Sequence, residues 1–493
     1  MAAIVEPAKK SYFFGKGYTD LGDTIKGAWQ RNFTSIGKYK DKIGESRANG
    51  DSGAIVVIKF VCNVFAMLAI LICGSIITAI VSVFHIVILL LFMLIVYIGF
   101  SVIWLTDRIY LQTHKIFTAC NECKEKSLIP TYICPKCGAQ HRNLTPGVYG
   151  ILHRTCNCGE KLPTTFFNGR RNLAAICPHC GTPLSDRETV PICIPIVGGR
   201  SVGKTAFITA FSKEFFDEVA PTHSWDLEFY NDKKKQIYGE IETDFTHGST
   251  RMTKRPSDIN EASSVSFSFF VKGKEFKPER LVHVYDIAGE VFTDNNENEI
   301  QKQYEYCQGI AMIIDPFAIP SVRNRLEDQL TPEDIAGIGV ADIDEIIDSF
   351  LNKLREVTGL NDKKMSSVPL AVIISKIDSA NLQNEIGDMA VRRTMSAQPQ
   401  VFNDYFNTED YLCREFLRNN GMTSFLNNIN SRFSNNRFFS CSAIGHTRDH
   451  GRYVPSGVLP PMQWLFDNAD SSMRKSWNDI QFPNKVLEIK QAV

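Results

Sequence analysis

From Val61 to Thr106 the chain carries no lysine, arginine, aspartate or glutamate. As one helix at 1.5 Å per residue this run would span about 69 Å, about twice the hydrocarbon core of a bilayer. The pattern predicts a two-pass transmembrane helical hairpin over 55–106, with one helix near 56–80 and a second reaching about Leu105. The turn is expected around Ser82 to His85, with Gly74 and Ser75 as the alternative. His85 then sits at the far interface. Lys38, Lys40, Lys42, Arg47 and Lys59 precede the run, and Arg108 and Lys115 follow it. Positive charge on both flanks predicts that both termini are cytoplasmic. Residues 1–54 read as an N-terminal cytosolic juxtamembrane segment, with a helix around Thr24 to Gly37. The competing reading, a buried core helix of a soluble protein, is disfavoured by the length of the charge-free run.

Beyond the apolar run the pattern changes to short apolar stretches broken by cysteine pairs. Cys120 and Cys123 form one C-x-x-C pair and Cys134 and Cys137 the next, about ten residues on; Cys156 with Cys158 and Cys177 with Cys180 follow. Each pair closes a tight knuckle that aims two thiolates at one tetrahedral Zn²⁺, and four thiolates leave no open position, so the metal is structural. The spacing predicts tandem zinc ribbons over 115–187: Cys120, Cys123, Cys134 and Cys137 on one zinc, Cys156, Cys158, Cys177 and Cys180 on a second. His141, His153 and His179 are left outside the ligand sets. Thiol pairs without a secretory signal indicate a reducing compartment rather than a disulfide framework. Redox-active dithiols are the alternative for the same pairs.

A third pattern begins with the apolar strand PICIPIV, followed by GGRSVGKT at residues 198–205 and an amphipathic stretch bearing Ala206, Phe207, Ala210, Phe211 and Phe215 on one stripe. The loop matches G-x-x-x-x-G-K-[ST], and a strand, a glycine loop and a helix N-terminus aim backbone N–H groups and the positive dipole end at phosphate. Nucleotide contacts are expected from Gly198, Gly199, Arg200, Ser201, Val202, Gly203, Lys204 and Thr205. Lys204 would pair the β and γ phosphates, and the Thr205 hydroxyl would bind Mg²⁺. Later apolar runs end in further short motifs. Asp286 and Gly289 form D-x-x-G, Ser375, Lys376 and Asp378 form S-K-x-D, and Ser442 and Ala443 close RFFSCSA. A carboxylate at Asp378 accepts two hydrogen bonds from guanine's ring N–H and amino group, a donor pair adenine lacks. The expected nucleotide is therefore GTP.

With these four motifs in order, residues 190–493 resemble the translation-factor and Ras-related class of P-loop GTPases. The resemblance implies a doubly wound α/β domain over 188–493, Mg²⁺, and loops that order around the γ-phosphate. The cysteine pairs together with HRNLTPGVYG also look like bacterial double-GTPase families proposed to act in conflict systems. Glu290 stands where many members of the class have a glutamine that orients water, which implies slow intrinsic hydrolysis. Thr253, with Thr250 as the alternative, falls where the class has its Mg²⁺-binding threonine. Arg200 resembles the dynamin-like form of the loop and reads as solvent-facing, with an internal arginine finger as the other role.

Charge changes the picture little. Lys plus Arg equal Asp plus Glu at 54 each, so no global field favours nucleic acid, and none is expected as a partner. The reading is a membrane-anchored GTP hydrolase and nucleotide-dependent switch with a protein effector or partner GTPase, placed in bacterial defence or stress signalling. A zinc-ribbon membrane scaffold with a structural nucleotide is the second reading. A dynamin-like remodelling GTPase is the third, set last because no long heptad-bearing stalk is apparent.

Overall fold

In the computed structural model the described residues are 6–48, 53–120, 123, 125–184, 188–248, 266–286, 307–332, 335, 337–338, 366–445 and 451–483. The chain forms two compact units, Met1–His114 with Ile129–Arg187, and Lys115–Leu128 with Glu188–Val493.

In the first unit, α1 (Lys16–Ala48) is followed by α2 (Gly53–Ala69), one turn of π-helix at Ile70–Gly74, and α3 (Ser75–Thr113). Gly53–Thr113 is thus one helix of 61 residues, long and apolar enough to cross a membrane. The hairpin expected inside this run is corrected: residues 82–85 and 74–75 are both helical. The segment holds no proline, and the polar side chains at the expected turn bond within the helix. Ser82 Oγ donates to Thr78 O at 2.7 Å, and His85 Nδ1 lies 2.8 Å from Val81 O. Gly74 is absorbed at the end of the π turn, which opens the backbone without reversing it.

The partner that folds back along the apolar helix is α1. Its half-buried residues Ile25, Trp29, Asn32, Ile36, Tyr39 and Ile43 recur at alternating spacings of four and three, the seam of a helix pair. Its charged residues Asp20, Asp23, Lys26, Arg31, Lys38 and Lys40 are exposed. The chain uses this short seam, residues 25–43, internally. Asn32 Nδ2 donates to Gly74 O at 3.0 Å and to Thr78 Oγ1 at 2.6 Å, meeting a carbonyl at the π turn.

The open end of this helix pair, where α1 begins and α3 ends, meets the cysteine-bearing module. Phe14 packs edge-on against Tyr97, centroids 5.0 Å apart. Residues 7–11 add to the module's backbone: Lys9 N donates to Thr155 O, Asn157 N to Pro7 O and Ser11 N to Val148 O. Asp107, near the end of α3, is buried with Arg170. Arg170 Nη2 lies 3.0 Å from Asp107 Oδ2, an ion pair, while Asp107 Oδ1 accepts from Phe166 N at 2.8 Å.

The second unit contains a seven-stranded mixed sheet. Its strands are β1 (Val190–Val197), β2 (Asp226–Phe229), β3 (Ser266–Lys272), β4 (Arg280–Asp286), β5 (Ile310–Ile314), β6 (Leu370–Ile374) and β7 (Asn436–Ser440), in the spatial order β2-β3-β4-β1-β5-β6-β7. The pairs β2/β3 and β3/β4 are antiparallel and the other neighbours are parallel. This is the α/β architecture expected, with two strands, β2 and β3, joined to one edge by antiparallel pairing.

Strand β1 is buried at every residue, as a central strand covered on both faces must be. Its Cys193 and Val197 enter one core and Ile192, Ile194 and Ile196 the other, the period-two signature of a strand. Pro191 and Pro195 are tolerated here because β1 pairs with β5 only at Ile196 and Val197. Cys193, which shares their parity, donates its N–H to the Gln308 side chain at 2.6 Å instead of to a strand.

At the other edge, the N–H groups of Phe438 and Ser440 in β7 donate to Asp410 Oδ1 at 2.7 Å and Glu409 Oε1 at 3.0 Å. Both carboxylates come from the helix Tyr405–Asn419, so the exposed ladder of the edge strand is closed. Burial pushes the Glu409 carboxyl up to about 7.

Candidate functional site

Parallel strands β1, β4, β5 and β6 with β7 end at one edge of the sheet, and the loops that leave them carry the sequence motifs. After β1 the loop turns through Gly198 and Gly203, the latter at φ 95° as the N-cap of α4 (Lys204–Glu214). Gly198 is obligatory, because a Cβ there would lie 2.5 Å from Ile313 O. Ser201 takes a left-handed φ of 63°. The Lys204 ammonium is buried and donates to Gly198 O at 3.0 Å and Gly199 O at 2.7 Å. The loop is thereby curled around its own lysine, with Arg200 and Ser201 exposed and Val202 buried. Thr205 is half-buried in the first turn of α4.

The S-K-x-D segment leaves β6 beside this loop. Ser375 Oγ donates to Val202 O at 2.8 Å and to Ile314 O at 3.0 Å, so the serine ties the phosphate-type loop to the next strand's end. Lys376, at φ 54°, sends Nζ to Asp315 Oδ2 at 2.6 Å and Gly337 O at 3.1 Å. Asp378 accepts a short hydrogen bond from Ser442 Oγ, which in turn accepts from Gly445 N at 2.9 Å. Ala443 is buried in the turn between them. Gly198–Thr205, Ser375–Asp378 and Ser442–Ala443 therefore meet at one edge. Asp286 ends β4, opposite Ile196 in register. Thr250, Thr253, Gly289 and Glu290 lie outside the described residues.

Sequence reasoning missed Asp315, which is fully buried, caps the Phe317 N–H and holds Lys376. The signal was present in IIDP, an apolar run ending in a carboxylate before proline. It also missed Ser456, which exchanges both backbone hydrogen bonds with Ser442. No local pattern announces that pairing.

A cysteine tetrad within the first unit corrects the tandem assignment. The sulfurs of Cys134, Cys137, Cys156 and Cys158 lie within 4.8 Å of one another. The second pair meets the third, where the tandem reading joined it to the first. The hairpin around Cys134 and Cys137 joins the hairpin around Cys177 and Cys180 edge to edge in one four-stranded sheet, Thr131 opposite Ile176 and Tyr132 opposite Ala175. Two knuckles side by side in one sheet do not face one another, so each takes its metal partner from elsewhere.

In this tetrad Cys134 Sγ lies 3.7 Å from Cys158 Sγ, and Cys137 Sγ 3.6 Å from Cys156 Sγ. A tetrahedral zinc with Zn–S near 2.3 Å sets sulfurs about 3.8 Å apart, so the donor set fits. Gly138, Gly159 and Gly181, at φ 71°, 94° and 79°, supply the left-handed turn after three of the pairs. Burial pushes the Cys156 thiol up to about 12, while a backbone N–H from Glu160 brings Cys158 down to about 7. His141 is fully buried near Glu6 and Arg154, outside this tetrad, and burial lowers its basicity.

Residues 192–412 match the sequence model of the family described as Double-GTPase 2. Among solved structures the chain is similar to the S. cerevisiae Ski7 GTPase-like domain bound to GTP, with 12% identity and a TM-score of 0.29 over 59% of this chain and 51% of that one. The same domain bound to GDP and inorganic phosphate is similar at 11% identity and a TM-score of 0.27, with the same coverage. The chain thus spans about half the length of those structures. No curated protein sequence matches it.

Proposed function

We propose, from the premise that residues 192–412 form a P-loop GTPase domain of the double-GTPase family, that this protein is a membrane-anchored GTP hydrolase acting as a nucleotide-dependent switch. The observation that carries the guanine reading is the seat of Asp378, whose carboxylate is steadied by Ser442 at the same edge as the glycine loop. A fixed carboxylate there meets the two donors of guanine and is left unmatched by adenine.

In this reading Lys204 leaves the carbonyls of Gly198 and Gly199 for the β and γ phosphates, and the N–H groups at the start of α4 take the remaining oxygens. Thr205 and Thr253 would hold Mg²⁺, which when bound neutralises charge on the phosphates. Asp286 supports that site, and Gly289 reaches the γ-phosphate. Glu290 in the place of a water-orienting glutamine makes intrinsic turnover slow, so a protein effector or partner GTPase sets the timing. The paired cysteines hold structural zinc. The apolar helix Gly53–Thr113, with Phe65, Ile80, Phe84 and Ile95 each more than 60% exposed, is covered by lipid. The zinc module and nucleotide domain lie on the cytoplasmic side, where thiols stay reduced. A role in bacterial defence or stress signalling fits such a switch.

The test is equilibrium binding of labelled nucleotides to the full chain. GTP is expected to bind at least on the order of 100-fold more tightly than ATP, and Asp378→Asn to move the preference toward xanthine nucleotides. Tighter binding of ATP overturns the guanine reading, and an unchanged preference in the variant removes Asp378 from the base site.

A further inference from the structure

The loop that presents Ser442 is held from outside as well as by its own Gly445 N–H. Residues 451–457 run back beside it as a strap: Ser456 N donates to Ser442 O at 2.8 Å, Ser442 N to Ser456 O at 2.9 Å, and Val454 N to Ile444 O at 2.7 Å. The approach is close enough that a Cβ on Gly445 would lie 2.1 Å from Val454 O, and one on Gly457 2.4 Å from Ser440 O.

The other end of the strap docks on the helix Asp232–His247, far from Ser442 in sequence. Tyr453 N donates to Phe245 O at 2.9 Å, satisfying one of the carbonyls a helix leaves unpaired in its last turn. The rings of Tyr453 and Phe245, both buried, are 5.4 Å apart, and the Arg452 guanidinium sits 5.3 Å from the Phe245 centroid. Gly248 ends the helix at φ 72°, where a Cβ would lie 2.1 Å from Gly451 O. A continuous chain of contacts therefore runs from Gly248 and Phe245 through Tyr453 and Ser456 to Ser442, and from its hydroxyl to Asp378.

We infer that the 451–457 strap is a positioning device for base recognition, in which Gly248 and Tyr453 set guanine discrimination by holding Ser442 against Asp378. The inference rests on the guanine reading above. Neither Gly248 nor Tyr453 lies in a nucleotide motif. Their effect passes through the orientation of one carboxylate, so it falls on the base end of the nucleotide and spares the phosphate end.

The experiment uses the full-length chain with Gly248→Ala and Tyr453→Ala, fluorescent GDP as the probe, and unlabelled GDP, IDP and inorganic pyrophosphate as competitors. Loss of one well-placed hydrogen bond corresponds to about a tenfold change. GDP release is expected to accelerate about tenfold, and the preference for GDP over IDP, which lacks the amino group that Asp378 accepts, to fall by a similar factor. Competition by pyrophosphate, which reads only the glycine loop, should be unchanged; a generally loosened domain would lose it as well, and that result overturns the inference. Should Gly248→Ala not fold, Tyr453→Ala decides. Wild-type release rates and wild-type GDP over IDP preference in the folded variants overturn the strap and leave the guanine reading standing. A wild-type chain that takes up no GDP overturns both.

Discussion

In the second unit, Gly198–Thr205, Ser375–Asp378 and Ser442–Ala443 follow the parallel strands β1, β6 and β7 and converge on one edge, whereas in the cysteine-bearing module of the first unit the second cysteine pair meets the third rather than its neighbour in the tandem order. The contrast comes from how each site is made. Parallel strands deliver all their carboxyl ends to the same side whichever strands are neighbours, so a motif at a strand's end is placed by its own short stretch of chain. A knuckle supplies only half a metal site, and its other half depends on which hairpins share a sheet. Cysteine spacing says that knuckles form and is silent about which two face each other.

The largest effect tests that pairing directly. Structural zinc contributes on the order of 10 kcal/mol or more to small modules, so a site short of ligands loses its metal rather than holding it weakly. With the second pair joined to the third, Cys134→Ser with Cys156→Ser disables one site, and metal analysis should find about one zinc per chain. Cys120→Ser with Cys134→Ser disables both and should leave none. The tandem arrangement exchanges these expectations for the second pair of substitutions, which would then retain about one zinc.

The next effect concerns a contact no motif announces. Asp107 ends the apolar helix pair as one half of a buried ion pair with Arg170, which also donates to Leu144 O and Thr164 O. Asp107→Ala leaves a buried guanidinium without its counterion, which typically costs about 3–5 kcal/mol. Thermal unfolding of the purified chain should show that loss in the transition of the zinc module, with labelled-GTP binding retained. A wild-type transition would mean that Arg170 is solvated when Asp107 is removed.

What could be read from sequence divides along the same line. The strand–loop–helix around Lys204, the apolar strands and the existence of paired thiolates were legible because each rests on local periodicity or a fixed backbone turn. The helix pair was not. A charge-free run long enough for two crossings reads as its own hairpin, while α1, half charged and half seam, reads as a polar segment until its Ile25-to-Ile43 spacing is set against a partner. Asp315 and Ser456 escaped for a related reason, since each takes its role from a partner in another loop, Lys376 for Asp315 and Ser442 for Ser456.

A smaller effect is expected at the edge of the nucleotide domain, where two carboxylates close β7. Glu409 is raised by burial from the ordinary 4.5 to about 7. Between those values the unfolded chain releases a proton that the folded chain keeps, so this group's contribution is complete below about 4.5 and is lost as pH rises through about 7. The shift is on the order of 3 kcal/mol across that window. Glu409→Gln keeps an acceptor for Ser440 and removes the titration. Its melting temperature should match the wild type near pH 5 and exceed it at pH 8; equal differences at both pH values would show that Glu409 is ionised throughout.

The smallest effect probes the helix pair at the polar contact of Asn32. Asn32 donates to Gly74 O and Thr78 Oγ1 where the π turn opens the apolar helix. Removing these bonds with Asn32→Ala should cost about 1 kcal/mol, because Thr78 Oγ1 and Gly74 O each lose a side-chain donor. Asn32→Leu is the sharper variant. A leucine at a seam position recovers apolar contact and offsets much of that loss, but it removes a polar signal that fixes how far α1 is slid along α2 and α3. Disulfide trapping between cysteines placed on facing seam positions, in a chain with Cys62 and Cys73 changed to serine, reads the register. The wild type should give one dominant cross-link and Asn32→Leu several, shifted by a heptad; a single unchanged cross-link would show that the aromatic contacts at Phe14 fix the register without Asn32.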